Sequence, residues 1–324
     1  MSDIGWNTID SDAGVFTELV EKLKVEDTQF DELYSFDYDT LKQVQPIRGV
    51  IFLFKYSKVD DDYAKNNNAP LDGEYDPDYQ DHGIFFANQT IQNACGTQGV
   101  LNILLNIDDK IDIGEELKNF KLFVAGFDGM MAGETISNSE MIRQVHNSFS
   151  SPSPFVDEDK PNSQNNDRKN DGLFHFISYI RTNGFIYELD SLKTYPIKIE
   201  ECNSDEEFIT KLPQVIGRRI EKYGGELRFS LLAMTHNKAK HFSEIGDYNS
   251  FQREMIKRES WKKENELRRH DYVGFLVELL KNISKDMDDE KWENILDSAR
   301  KNEQQNLLKR FSKSKGLDIY PKKS

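Results

Sequence analysis

The chain has 324 residues, a formal net charge of -15, 37% hydrophobic residues and 31% charged residues. This length can hold one large domain or two of ordinary size, and we predict two. The negative charge repels nucleic acid phosphates and no apolar run approaches the ~20 residues that span a bilayer, so we expect neither nucleic acid nor a membrane as a partner. Only two cysteines are present, Cys95 and Cys202, which excludes a disulfide framework and a Cys-x-x-Cys metal pair. Because the first residues also show no signal-peptide pattern, we predict a cytoplasmic and nuclear location.

The first part of the chain predicts a helix followed by a buried strand. Residues Ser11 to Leu23 place apolar side chains at helical spacing, and Ser11 or Asp12 can cap that helix. The run Val50 to Tyr56 is short, apolar and rich in β-branched and aromatic residues, which is typical of a central strand. The stretch 60–81 is full of Asp, Asn, Pro and Gly, so it predicts an exposed insertion outside the core, to which we assign no chemistry.

A second helix is predicted over Ala94 to Asn106, with Cys95 in its first turn. Unpaired backbone N–H groups and the helix dipole at that end stabilise a thiolate relative to a thiol. The neighbouring residues are small and polar, so a substrate can approach the sulfur. Considered by itself, however, a lone cysteine is more often an inert core residue.

The polar stretch 147–171 predicts a crossover loop, because it has too little apolar surface to offset the entropy of ordering it. Two strand-like runs follow, on either side of Asn183-Gly184, a dipeptide typical of a tight hairpin turn. A four-residue turn places His175 directly opposite Asp190. A two-residue turn places Asp190 opposite Ile177, which shares a sheet face with His175. Both registers predict a His–Asp contact, which is either catalytic or a purely structural pairing of two buried groups.

The chain changes character after a last predicted strand, Arg228 to Met234. The region Phe251 to Arg310 is charged and helical, and its apolar residues cluster in Tyr272 to Leu280, enough for one face that packs or binds a partner. We therefore predict one domain over residues 1–237 and a helical extension over residues 238–324.

Four residues form a coherent set for cysteine hydrolase chemistry, with Cys95 as nucleophile, His175 as its base and Asp190 as the carboxylate that orients the base. Gln89 lies six residues before the cysteine, and its amide can hold the developing oxyanion if the intervening segment turns back. Of the other histidines, His146 is the ambiguous one. No set of residues has zinc-ligand spacing and no phosphate-binding loop is present, so we expect no metal and no cofactor.

Seven segments, in this order, make a recognisable pattern: SDAGVFTEL at 11–19, GVIFLFK at 49–55, FANQTIQNACGTQ at 86–98, IRQVHNSF at 142–149, FHFISY at 174–179, NGFIYELD at 183–190 and RRHDY at 268–272. Together they resemble the ubiquitin C-terminal hydrolases, which are papain-like cysteine proteases. The similarity is to the longer, proteasome-associated subfamily with a C-terminal helical extension. It covers nearly the whole chain, and all four catalytic positions are filled.

The resemblance implies an α/β (α+β) fold with a central antiparallel sheet flanked by helices, a knotted papain-like backbone and a crossover loop above the active site. It implies thiolate attack on the carbonyl of ubiquitin's terminal glycine, a thioester intermediate, and hydrolysis by water that His175 activates. Ubiquitin and ubiquitin chains would be the partners, with the helical extension docking on a ubiquitin receptor of the proteasome regulatory particle and relieving autoinhibition. Asp12, Val15 and Phe16 lie in a stretch that contacts ubiquitin in this family, although Ala13 stands where the family usually has Pro.

Two other functions remain open. One is a weakly active module that binds ubiquitin or the proteasome through its helical tail. The other is an acyltransferase that uses the same Cys-His-Asp chemistry, which predicts acyl transfer to an amine and no affinity for ubiquitin.

Overall fold

The computed structural model describes residues 5–55, 59–150, 174–224 and 229–315. Most of the predicted crossover loop (147–171) lies outside these residues, as does Arg228 at the start of the last predicted strand.

Thirteen helical segments, one of them a 3-10 turn, and seven strands occur in the described part of the chain. The helices are α1 (Ala13–Lys22), α2 (Tyr38–Gln43), α3 (Val59–Asn67), the 3-10 turn Gln92–Ala94, α4 (Cys95–Leu104), α5 (Gly114–Phe123), α6 (Gly129–Asn138), α7 (Glu140–Asn147), α8 (Asp205–Lys222), α9 (Lys238–Glu244), α10 (Tyr248–Arg269), α11 (Val273–Lys285) and α12 (Asp289–Lys315). The strands are β1 (Thr28–Leu33), β2 (Ile47–Lys55), β3 (Glu74–Tyr75), β4 (Phe174–Thr182), β5 (Phe185–Leu189), β6 (Ile197–Glu201) and β7 (Phe229–His236).

The strands form one sheet in the order β1-β7-β2-β4-β5-β6-β3, and every pairing is antiparallel. Helices cover both faces. Phe16 of α1 and Leu101 of α4 belong to the core on one face, and Leu41 of α2 and Phe208 of α8 belong to the core on the other. The predicted central antiparallel sheet flanked by helices is therefore confirmed.

Helix α4 packs closely across the sheet, because glycines stand where the two meet. A Cβ atom on Gly99 would lie 3.2 Å from Ser178 Oγ, and that hydroxyl donates a hydrogen bond of 2.9 Å to the Gly99 carbonyl. Near the start of the helix, a Cβ on Gly96 would lie 3.6 Å from Phe176 Cζ. The amino-terminal end of α4 therefore lies beside the first residues of β4.

The β4–β5 hairpin has the two-residue turn, the second of the two predicted registers. Thr182 pairs with Phe185, and both turn residues have left-handed backbone angles, with φ of 50° at Asn183 and 77° at Gly184. Asn and Gly are the residues that adopt such angles most readily, which explains why this dipeptide forms the turn.

The segment 60–81 is not merely an exposed insertion, and that prediction is corrected here. It contributes all of α3 except Val59, and all of β3, which pairs with β6. Asp76 and Tyr79 are buried, and the Asp76 carboxylate accepts a hydrogen bond of 2.9 Å from the Tyr187 hydroxyl. A polar composition did not reveal this packing, because the partners of these few buried side chains lie far away along the chain.

The first compact unit extends to Arg269, whereas the sequence pattern predicts a domain boundary at residues 237 and 238. The difference arises because α10 packs along α1. A Cβ atom on Gly14 would lie only 2.6 Å from Trp261 Cγ, so the indole lies directly on that glycine. Asn265 Nδ2 donates to the Gly14 carbonyl (3.2 Å) and to Glu18 Oε2 (2.7 Å).

Residues from His270 onward belong to a second unit, which contains α11 and α12. Helix α11 has no buried residue, and its apolar side chains are exposed, with Phe275 at 62% and Leu280 at 53%. Among the described helices, none is long and apolar enough to cross a bilayer.

We expect Trp261→Ala to lower the free energy of unfolding of the first unit by roughly 2–3 kcal/mol, because it removes the indole from the α1 surface. Lys262→Ala, an exposed substitution on the same helix, is the control and should change it by less than about 0.5 kcal/mol. Urea unfolding of both variants measures the difference, and equal stability of the two would show that α10 does not support α1.

Candidate active site

Cys95 is the first residue of α4, as predicted, and directly follows the 3-10 turn. Its side chain is partly buried against the core. Burial raises the pKa of the thiol to about 11, although hydrogen bonds from the backbone N–H groups of Gly96 and Cys95 itself act in the opposite direction. The helix terminus therefore favours the thiolate, but burial outweighs it, and the thiol of the free protein is neutral at pH 7.

His175 and Asp190 are in direct contact, with Nε2 and Oδ1 2.6 Å apart, and both residues are buried. Asp190 Oδ1 also accepts the backbone N–H of Leu192 at 3.0 Å. Burial raises the pKa of the carboxyl, but the His175 ring, Lys193 and Arg219 together outweigh it and hold that pKa well below its usual range. A fixed carboxylate therefore orients the imidazole through Nε2, and Nδ1 is the nitrogen that can exchange a proton with a nucleophile.

Cys95 and His175 each stand next to a residue of the α4–β4 contact. Phe176, the residue after His175, lies against Gly96, the residue after Cys95. The hairpin turn supplies the register and α4 supplies the position of the thiol, so the two predicted halves of the site lie at the same end of the sheet.

Gln89 lies on a segment that turns back along α4, the condition that its predicted role requires. Its backbone N–H donates to the Ser191 carbonyl at 2.8 Å. The preceding Asn88 donates its side-chain amide to the Lys193 carbonyl at 2.5 Å. The Gln89 segment is thus held against the loop that directly follows Asp190.

A buried ion pair lies behind the His175–Asp190 pair and is absent from the sequence prediction. Arg219 Nη1 contacts both carboxylate oxygens of Glu188 at 2.8 Å. The Arg219 guanidinium also lies 5.1 Å from the ring centre of Phe54, whose edge-on contact with the His175 ring is 5.9 Å between centres. Glu188 lies on β5, two residues before Asp190, which directly follows that strand, so the strand period of two was the sequence signal for a shared face.

His146 is part of the structure's support and not a second base. It is fully buried, with Nδ1 2.7 Å from Thr97 Oγ1 and Nε2 2.6 Å from the Asn7 carbonyl oxygen. Burial lowers its pKa. Both ring nitrogens are therefore engaged by groups that join the amino-terminal segment to α4.

Val15 and Phe16 do not lie on a binding surface, which corrects the predicted role of these two residues. They are 2% and 0% exposed, and a Cβ on Gly96 would lie 3.2 Å from Phe16 Cζ, so this ring packs under the first turn of α4. Asp12 is the N-cap of α1, accepting the Gly14 N–H at 2.8 Å, and it also pairs with Arg268 at 3.1 Å.

Within residues 5–55, 59–150, 174–224 and 229–315, no cluster of His, Cys, Asp and Glu side chains has the arrangement needed to hold a metal ion. The thiol at the start of α4 and the His175–Asp190 pair are groups that can act as a nucleophile, a base and an orienting carboxylate.

Comparison with known families identifies the same chemistry. Residues 6–221 match the family model described as ubiquitin carboxyl-terminal hydrolase, family 1, and residues 245–287 match a second model described as ubiquitin carboxyl-terminal hydrolases. Ubiquitin carboxyl-terminal hydrolase 2 of Schizosaccharomyces pombe is 42% identical over 306 residues, which is 92% of this chain and 97% of that protein. Ubiquitin carboxyl-terminal hydrolase isozyme L5 of Dictyostelium discoideum is 45% identical over 235 residues, 72% of this chain and 63% of that protein.

Among solved structures, the crystal structure of Trichinella spiralis UCH37 bound to ubiquitin vinyl methyl ester superimposes with a TM-score of 0.58 at 29% identity, covering 81% of this chain and 99% of that one. A second crystal structure, of the catalytic domain of the same protein with the same ligand, also gives a TM-score of 0.58, at 32% identity and 73% coverage of this chain.

We expect alkylation of Cys95 by iodoacetamide to accelerate by about tenfold per pH unit from about pH 7 to about pH 10, because the thiolate is the reactive species and a thiol with a pKa near 11 is almost wholly neutral in that range. The measurement uses the Cys202→Ser variant, followed by intact-protein mass spectrometry, so that one thiol is observed. A rate that is already at its plateau below pH 8 would instead indicate a preformed thiolate–imidazolium pair.

Proposed function

This chain belongs to ubiquitin carboxyl-terminal hydrolase family 1 and is a cysteine-type deubiquitinase, and we propose that Cys95 is its nucleophile and that it works in association with the proteasome regulatory particle. The single observation that carries the catalytic assignment is the buried 2.6 Å contact between His175 and Asp190, next to the helix end that begins with Cys95. Ubiquitin is the partner that the ubiquitin-bound relatives support.

In the proposed reaction, His175 Nδ1 takes the proton of the Cys95 thiol as the sulfur attacks the carbonyl carbon of ubiquitin's terminal glycine. The Gln89 side-chain amide and the Cys95 backbone N–H hold the oxyanion. The imidazolium then protonates the leaving amine, and the C–N bond breaks to leave a thioester. His175 next removes a proton from water, the hydroxide attacks the thioester carbon, and the sulfur leaves to recover the proton.

Asp190 remains ionised throughout this cycle. Because its pKa lies well below the usual range, it stabilises the imidazolium that forms twice per turnover without taking its proton. Since the Cys95 thiol is neutral in the free protein, its proton moves as the substrate carbonyl arrives, and the proposed mechanism does not begin from a stored thiolate.

A second candidate function is the weakly active module that binds ubiquitin or the proteasome. The raised pKa of Cys95 is the observation that favours it. Complete labelling by a ubiquitin probe with negligible turnover, even after the proteasomal receptor is added, would support this candidate over the hydrolase.

A role at the proteasome is supported by two features of the C-terminal region, the family match at residues 245–287 and the exposed apolar side of α11. A partner that covers α11 would bury these apolar side chains, which is the usual source of affinity at such a face. This role carries with it the proposed cytoplasmic and nuclear location.

For the catalytic assignment, ubiquitin vinyl methyl ester should label the wild-type chain and the Cys202→Ser variant, and labelling should vanish in Cys95→Ala. The reason is that only Cys95 lies at the site, whereas Cys202 is fully buried. A gel shift or intact mass measures the adduct, and labelling that survives Cys95→Ala would refute the nucleophile.

For the orienting carboxylate, Asp190→Asn should reduce kcat for a ubiquitin C-terminal fluorogenic amide by on the order of 10²–10⁴, because the buried charge that stabilises the imidazolium is lost. Asp31→Asn is the matched control, since Asp31 is also buried and ionised by neighbouring lysines but lies outside the site. The control should retain kcat within about threefold, and an equal loss in both variants would mean that Asp190 acts only through stability.

For the partner surface, Phe275→Arg should abolish co-purification with the proteasome regulatory particle, because it places a charge in the apolar side of α11. Glu278→Arg introduces the same side chain at an exposed polar position of that helix and should preserve association. Both variants should still react with ubiquitin vinyl methyl ester. Retention of the particle by Phe275→Arg would remove α11 from the proposed interface.

A further inference from the structure

Helix α4 and the turn that follows it carry a row of buried amide side chains that the catalytic scheme does not use. Gln98 and Asn102 lie on α4, and Asn106 lies two residues beyond its end, so the three amides follow one another at intervals of four residues. All three are buried, and Asn102 is fully so. Buried amides are costly unless their donors and acceptors are paired, so the groups that they contact indicate what the row holds.

The row pairs with the backbone of the segment that leads to Gln89. Asn106 Oδ1 accepts the Phe85 N–H and Nδ2 donates to the Phe85 carbonyl, each at 2.8 Å. Gln98 Nε2 donates to the Ala87 carbonyl at 2.8 Å, and Asn102 Oδ1 accepts the Ala87 N–H at 3.3 Å. Amide side chains of α4 and of the turn after it thus pair with these backbone groups, as the backbone of a neighbouring strand would.

Asn102 differs from the other two amides because it also contacts the loop that follows Asp190. Its Nδ2 donates to Ser191 Oγ at 3.2 Å, and the Ser191 carbonyl in turn accepts the Gln89 N–H at 2.8 Å. These contacts close a ring that runs from Asn102 to Ala87, along the chain to Gln89, and back through Ser191.

The ring joins the three chain segments that bear the nucleophile, the oxyanion donor and the orienting carboxylate. Asn102 is two helical turns from Cys95 on the same rigid helix, so a fixed contact at Asn102 sets where Ala87 and Gln89 lie relative to the thiol. Misplacement of a catalytic group by about 1 Å costs on the order of 10²-fold in rate.

We propose that Asn102 is a positioning residue that fixes the Gln89 oxyanion donor in register with Cys95, through its contacts with Ala87 and Ser191. The inference rests on the role of Gln89 in the proposed function, and it adds a residue that acts through others without touching the substrate.

The test compares Asn102→Leu with Asn106→Leu in the full-length chain. Both replace a buried amide of the same row with an apolar side chain of similar size, and both leave backbone groups of the 85–87 segment without a side-chain partner, so their melting temperatures should fall by similar amounts. Asn102→Leu should lower kcat for a ubiquitin fluorogenic amide by about 10- to 100-fold with KM within about threefold. Asn106→Leu should keep kcat within about threefold, since Asn106 does not contact Ser191.

Alkylation of Cys95 by iodoacetamide distinguishes loss of the oxyanion donor from a general distortion of the site, because a distortion would also change the alkylation rate. It displaces iodide from a saturated carbon and forms no oxyanion, so both variants should alkylate Cys95 within about twofold of the wild-type rate. Parallel losses of kcat and alkylation in Asn102→Leu, or equal losses of kcat in the two leucine variants, would overturn the proposal.

The Gln89→Ala variant tests the oxyanion role of Gln89 separately from the positioning role of Asn102, which rests on it. We expect Gln89→Ala to lower kcat by about 10²–10³ and the double variant with Asn102→Leu to be no slower than Gln89→Ala alone, because the displaced group is already absent. A loss in Gln89→Ala with wild-type kcat in Asn102→Leu overturns the positioning role alone. Wild-type kcat in Gln89→Ala overturns the oxyanion role and the positioning role together, while Cys95 remains tested by its own labelling.

If Asn102→Leu does not fold, Ser191→Ala removes only the hydroxyl that Asn102 contacts. Its kcat should fall by about threefold to tenfold with alkylation unchanged, and an unchanged kcat would overturn the proposal.

Discussion

At the contact between α4 and the sheet, a Cβ atom on Gly49 would lie 2.7 Å from Ile103 Cγ2, and one on Gly99 would lie 3.2 Å from Ser178 Oγ. Helix and sheet approach this closely because neither position carries a side chain. The position of Cys95 relative to β4 depends on that approach, and so does the reach of the amide side chains of α4 to the segment before Gln89. A larger side chain at Gly99 would separate the helix from the strand that carries His175.

Burial has opposite electrostatic outcomes at two groups of the same site. At Cys95, two backbone N–H groups stabilise the thiolate, but burial outweighs them and the pKa of the thiol rises. The Asp190 carboxyl has the His175 ring, Lys193 and Arg219 around it, and its pKa falls. The number of cationic partners decides the difference. The resting site therefore has a charged, fixed carboxylate and a neutral thiol. The base is already oriented in this state, whereas the nucleophile still has to lose its proton.

The C-terminal region contains two kinds of helix, although the sequence pattern predicts one helical extension. Helix α10 belongs to the compact unit with α1, through Trp261, Asn265 and the ion pairs of Arg268 and Arg269 with Asp12 and Glu18. Helix α11 belongs to the other unit and leaves its apolar side chains exposed. The stability of the catalytic unit and the proposed recognition of a partner therefore involve different helices, and substitutions can test them independently.

The sequence by itself determined the features that depend on neighbours along the chain. The period of two in a strand and the Asn183-Gly184 turn place His175 and Asp190 on one face, and the first turn of a helix places Cys95 among unpaired N–H groups. Only the tertiary structure decided which side chains are buried. It placed Phe16 beneath α4 instead of on a binding surface, packed Asp76 and Tyr79 of a polar segment into the fold, extended the compact unit to Arg269, and raised the pKa of the very thiol that the helix end favours. Local geometry is set by residues a few positions apart, whereas burial and its electrostatic cost are set by residues far apart in the sequence. A single sequence does not show which of these distant residues come into contact.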